Sequence, residues 1–132
     1  MALVLTLAPM LFGSVQAQEE PDCSDPQTQT EMTICAGQAF DAADKKLNEV
    51  YQQALDAAKE MDAYLDADLR GAEKTLREAQ RAWIPYREKA CEAYGFLARG
   101  GTLEPMLVAE CMADLTRKRT EELEEFVQGL GN

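Results

Sequence analysis

The run Leu76-Arg-Glu-Ala-Gln80-Arg81-Ala-Trp83-Ile-Pro85-Tyr86-Arg87-Glu-Lys-Ala-Cys91 decides the fold. It holds the one tryptophan of the chain and one of its four cysteines. Around it, Leu69, Ala72, Leu76, Ala79, Trp83, Tyr86 and Ala90 recur at gaps of three and four. That spacing places all of them on one face of one helix. Pro85 deletes a backbone hydrogen bond and crowds the preceding turn. The stripe continues in register past it, so the sequence predicts a kink rather than a break.

Upstream, Thr28-Gln-Thr-Glu31 has the spacing of a capping box, in which the Thr hydroxyl and the Glu carboxylate each satisfy a backbone N–H. Behind it, Phe40, Ala43, Leu47, Val50, Ala54, Ala57 and Met61 form a second stripe at helical spacing. The first helix ends somewhere between Met61 and Asp68, where Asp62, Asp66 and Asp68 are candidate N-caps for the second. Gly71 weakens the first turns of that helix, which runs to about Leu97. Arg99-Gly100-Gly101-Thr102 is the clearest stop in the chain, and Pro105 suits the first turn of a third helix. That helix is expected to bury Val108, Cys111, Met112, Leu115, Leu123 and Phe126. Its tail, from Gly129, should fray.

Spacing also pairs the cysteines. Cys91 lies nine residues before Gly100 and Cys111 ten after Gly101, so a helix hairpin turning there sets them side by side. Cys23 lies five residues before Thr28, and the intervening arm can fold back to Cys35, two turns inside the helix. Of three possible connectivities, Cys23–Cys35 and Cys91–Cys111 are expected. The fold class is therefore all-α: an antiparallel three-helix bundle stapled by two disulfides. Each staple contributes about 3 kcal/mol in the chain-entropy model.

At the N-terminus, Leu3 to Phe12 is an apolar run of signal-peptide length, followed by Val15-Gln-Ala17, a small-residue cleavage signal. The run is too short to span a bilayer. Its basic n-region is missing, which is the expectation for a start placed downstream of the true one. The expected organisation is residues 1–17 signal peptide, residues 18–27 irregular arm with Pro21 and Pro26, and residues 28–128 helical domain. Export and an even cysteine count both suit an oxidising compartment, periplasmic or secreted.

Composition narrows function. Formal net charge is −11, from 24 acidic and 13 basic residues. Such a surface repels nucleic-acid phosphates and anionic lipids and attracts a cationic partner. The absence of histidine removes the commonest general base and every His-containing metal site. The cysteine spacings match no zinc knuckle, and no glycine-rich phosphate loop is present. The reading is a non-enzyme, with no cofactor and no metal.

The ordered residues resemble a known family. Cys23, Thr28-Gln-Thr-Glu31-Met32, Cys35-Ala36 and Asp44-Lys-Lys-Leu47-Asn48-Glu-Val-Tyr51 are similar to the first half of the LprI-like lysozyme-inhibitor family. Leu76, Ala79-Gln80-Arg81-Ala82-Trp83-Ile84, Tyr86-Arg87 and Cys91 resemble its central signature. Gly100-Gly101-Thr102, Pro105-Met106, Cys111, Leu115-Thr116, Arg119 and Glu122-Leu123 resemble its closing one. The resemblance spans about residues 23 to 124; Pro85 departs from it, standing where the family has a helix-compatible residue. It implies an exported helical domain that inhibits lysozyme. A non-inhibitory envelope interaction module or a stress-protective domain is the competing reading.

Two candidate sites follow. Gln80, Trp83, Arg87, Thr116 and Arg119 form a polar cluster in apolar company, either an internal clasp that fixes helix register or the border of a recognition surface. In the internal version, Arg87 or Arg119 pairs with an acid from another helix, or Arg119 stacks on Trp83. The other candidate is the turn Gly100-Gly101-Thr102, able to enter a partner's cleft while acidic side chains pair with a cationic rim around it.

Overall fold

A computed structural model describes residues 19–130. The expected signal segment, residues 1–17, lies outside the described residues. Helix α1 spans Gln29–Tyr64, α2 Ala72–Gly95 and α3 Glu104–Gln128. A single 3-10 turn, Phe96–Ala98, follows α2. Among the described residues there is no strand, and the all-α class is borne out.

Direction follows from who meets whom. Gln29 at the start of α1 reaches Met106 near the start of α3, and Lys46 pairs with Glu124 further along both. The two helices therefore run the same way. Along α2, residue numbers rise as the α3 partners fall: Gln80 meets Arg119, Arg87 meets Thr116, and Cys91 is bonded to Cys111. Helix α2 thus runs against both neighbours, and the bundle is up-down-up. Both expected disulfides are present, with Cα atoms 5.5 Å apart in Cys23–Cys35 and 5.4 Å in Cys91–Cys111.

Helix α1 opens as its sequence dictates. Thr28 in extended conformation accepts from Glu31 N–H at 3.1 Å, and the Glu31 carboxylate accepts from Thr28 N–H at 3.1 Å. Of the three expected caps for α2, Asp62 supplies the capping group and Asp66 and Asp68 do not, although the N-cap position itself is taken by a glycine. That glycine is Gly71, at φ +148°, a region that side-chain-bearing residues rarely enter. The capping group comes from the previous helix: the Asp62 carboxylate accepts from Gly71 N–H at 2.8 Å, Ala72 N–H at 2.9 Å and Glu73 N–H at 3.1 Å. Asp66 and Asp68 cap nothing there. These backbone donors hold the Asp62 carboxyl below its usual pKa.

The central apolar cluster comprises Leu47, Val50, Ala54, Leu55, Ala58, Leu76 and Leu123, with Tyr51, Ala72, Trp83 and Phe126 packed against it. Helix α2 turns a different face inward from the one its apolar residues suggest. Leu76, Gln80, Arg87, Cys91 and Gly95 are buried. Leu69 precedes the helix and is 63% exposed, Tyr86 is 61% exposed, and Ala79 is also exposed. Polar side chains with partners on other helices hold the inward positions. On α3, Leu123 is buried as expected, but Ala113, Thr116 and Thr120 take the innermost places. Val108, Met112, Leu115 and Phe126 are half-buried. Small residues facing Ala36 and Ala43 of α1 let the two backbones approach closely. Helix α2 continues unbroken through Pro85, which is exposed.

Candidate functional site

Around Arg87 a polar layer crosses the bundle. Arg87 on α2 donates from Nη1 to Asp44 Oδ1 on α1 at 2.8 Å and to Thr116 Oγ1 on α3 at 3.1 Å. Its guanidinium also lies 5.0 Å from the ring centroids of Phe40 and Trp83. Thr120 donates its hydroxyl to the Thr116 carbonyl at 2.9 Å, so this part of α3 turns its polar atoms inward too. One side-chain nitrogen, Arg87 Nε, is buried without a partner among the described residues. Arg119 takes a neighbouring place, donating from Nε to Gln80 Oε1 at 3.0 Å and from Nη1 to Glu122 at 2.8 Å. The expected stack of Arg119 on Trp83 is replaced by that of Arg87, because Arg87 enters the layer from the same helix as the indole, one turn on.

The five sequence-predicted residues therefore fall into two groups, Trp83, Arg87 and Thr116 in one and Gln80 and Arg119 in the other. Gln80 and Arg87 are each 6% exposed and Thr116 is fully buried. Buried this deeply, they contact other helices of the same chain. Burying a guanidinium is tolerable only because Asp44 supplies the countercharge and two aromatic faces line it. Two members escaped sequence reasoning, Asp44 and Phe40. The signal was there: Asp44 stands four residues after Phe40 and three before Leu47, a carboxylate on the inner face of α1.

The turn Gly100-Gly101-Thr102 lies at one pole, remote from the polar layer, and is exposed. Gly100 adopts φ +78°. Its N–H donates to Glu104 Oε2 at 2.8 Å, while Arg99 donates to Glu104 Oε1 at 2.7 Å and stacks over Phe96 at 4.4 Å. Helix α3 starts at Glu104 with Leu103 as N-cap, and the Glu104 side chain orders the turn. The Gly100 amide and the Arg99 cation hold the Glu104 carboxyl below its usual pKa. Around this turn Tyr94, Phe96, Leu97 and Leu103 are exposed, Leu97 at 75%.

The surface charge is not self-compensated. Nine of the 13 basic side chains stand in ion pairs, leaving Lys45, Arg70, Arg81 and Lys118. Only nine of the 24 acidic ones do. A shallow depression of about 480 Å³ between α1 and α3 is lined by Met32, Cys35, Ala36, Met106 and Ala113. Among the described residues no group of His, Cys, Asp or Glu is placed to hold a metal ion, and no helix is long and apolar enough to cross a membrane.

Fold and site define a class: a small all-α domain, doubly stapled, whose internal polar groups are committed to its own architecture and whose surface carries excess negative charge. Residues 22–123 match the family model described as lysozyme inhibitor LprI, and the chain belongs to that family. It is also similar to an uncharacterized protein of Rhizobium meliloti (strain 1021), at 48% identity over 118 residues, covering 87% of this chain and 85% of the relative. No solved structure matches. The family is one of inhibitors, not catalysts.

Proposed function

We propose that this chain is an exported acidic protein that binds a cationic lysozyme and inhibits it by occluding the substrate cleft, with no chemistry of its own. Membership of the lysozyme-inhibitor family over residues 22–123 carries the reading. Two features support it. The unpaired charge is predominantly carboxylate, which steers a cationic partner at long range. The Gly100-Gly101-Thr102 turn is narrow, held by Glu104, and flanked by exposed Phe96, Leu97 and Leu103. A preordered apolar projection loses little entropy on entering a cleft. The disulfides suit a periplasmic or secreted site of action.

The test is lysis of a peptidoglycan suspension by a cationic lysozyme, with and without the purified domain. Lysis should slow in proportion to the domain added, and the effect should weaken as salt rises. Undiminished lysis at low salt in the presence of excess domain overturns the reading. Inhibition indifferent to salt removes the steering component alone.

A further inference from the structure

We propose that the α1–α2 turn, residues 61–69, is a docking surface for the cationic face of a lysozyme-type protein. The proposal rests on the inhibitor reading for its partner and adds a contact at the pole opposite the Gly100-Gly101 turn.

The turn combines order with exposure. Asp62 ties three backbone N–H groups of the α2 start. Leu69 N–H donates to the Asp66 carbonyl at 2.9 Å, and Arg70 Nε donates to the Leu65 carbonyl at 2.9 Å. A connection so fully bonded could fold its apolar side chains inward. It holds them out instead: Tyr64 is 92% exposed, Leu69 63%, Leu65 37% and Met61 36%. Apolar side chains on a preordered frame are the usual form of a binding hot spot, because little freedom is lost on contact.

Charge selects the occupant. Glu60, Asp66 and Asp68 stand beside these side chains and have no ion-pair partner among the described residues. The cation of the turn, Arg70, has committed its Nε to a carbonyl. At the other pole Arg99 pairs with Glu104 and Lys89 with Glu92, while Asp22, Asp25 and Glu110 also stand without an ion-pair partner among the described residues. A second copy of this chain would bring like carboxylates face to face, and nucleic acid and anionic lipid are repelled. A basic protein surface with an apolar spot at its centre is complementary on both counts. Helix α2, about 36 Å long, separates the poles, so substitutions at each read out independently.

The experiment measures binding of the full chain to an immobilised cationic lysozyme at low and moderate salt, alongside inhibition. Thermal unfolding confirms that each variant is folded. Tyr64→Ser combined with Leu69→Ser should weaken binding by roughly tenfold or more. Asp66→Asn combined with Asp68→Asn should slow association and flatten its salt dependence. Ile84→Ser, on the exposed side of α2 between the poles, should change binding by less than about twofold. Wild-type binding that survives both turn variants overturns the docking assignment while leaving the inhibitor reading intact. Failure of the wild-type chain to bind at low salt overturns both. Self-association of the wild-type chain that the turn variants abolish replaces the lysozyme partner with a second copy and overturns the proposal.

Discussion

Replacing Asp44 with alanine leaves the Arg87 guanidinium inside the bundle without its countercharge. The Arg87 side chain is 8% exposed and that of Asp44 is 38% exposed. This asymmetry sets the magnitudes. Removing one partner of a buried pair costs roughly 3–5 kcal/mol when the survivor cannot reach water. After Asp44→Ala the surviving cation keeps Thr116, Phe40 and Trp83, so the low end applies, about 3 kcal/mol. After Arg87→Met the survivor is a carboxylate already near water, and methionine retains much of the stem volume. The loss is then a charged hydrogen bond and two cation–π contacts, offset by relief of the unpartnered Nε, about 1.5 kcal/mol. The double variant should cost less than the sum of the two. Urea unfolding followed by far-UV circular dichroism, disulfides intact, reads these directly. With a slope of about 1.5 kcal/mol/M, Asp44→Ala should lower the midpoint by about 2 M and Arg87→Met by about 1 M. Equal losses, or a larger loss for Arg87→Met, would refute the reasoning that burial of the cation dominates this layer.

Three further outcomes are expected. Replacing Cys91 and Cys111 together with serine opens a crosslink of sequence separation 20 and should cost about 3 kcal/mol, read as a lower thermal midpoint with Cys23–Cys35 still intact by non-reducing peptide mapping. Gly95→Ala places a methyl 2.6 Å from Val108 Cγ2, so it should destabilise by about 1–2 kcal/mol, and adding Val108→Ala should recover most of that. The folded-state pKa of Asp62 lies below its ordinary 3.8, chiefly through the Gly71 N–H, then those of Ala72 and Glu73. Its contribution is therefore fully present above 3.8 and lost as pH falls through the lower folded value; Asp62→Asn should flatten the stability–pH curve in that acid window and leave the slope above it unchanged.

Features encoded within one helix turn or one hairpin were legible in the chain. The Thr28–Glu31 capping box involves residues three apart, and both disulfides follow from counting helix residues to a turn. What depended on another helix was not. The apolar stripe of α2 pointed to Ala79 and Tyr86, whereas the buried face runs through Gln80 and Arg87. The two faces differ by one residue, about 100° of rotation. Apolarity alone chooses between them wrongly, because the partners that make Gln80 and Arg87 burial tolerable, Arg119, Asp44 and Thr116, lie on α1 and α3. Which of the three candidate aspartates caps α2 was hidden for the same reason: Asp62 acts across nine residues, after the chain has turned. The candidate polar cluster was identifiable as a set of residues, since polar side chains within apolar spacing stand out. Its inward direction was not, because a stripe does not say what faces it.

Both covalent links lie toward the same pole. Cys35 lines a depression with Met106 and Glu110, and Glu110 adjoins Cys111 in the next. The opposite pole, where α1 hands over to α2, has no covalent link and is closed by the packing of Leu55, Ala58, Leu76 and Leu123 and by hydrogen bonds, Asp62 on three amides and Arg70 on the Leu65 carbonyl. The molecule is built like a clothes-peg, sprung shut by sulfur at one end and held by non-covalent bonds at the other. Amide hydrogens around Tyr64 to Glu73 should therefore exchange by local opening well before those flanking Cys91 and Cys111, and chemical reduction should narrow that difference.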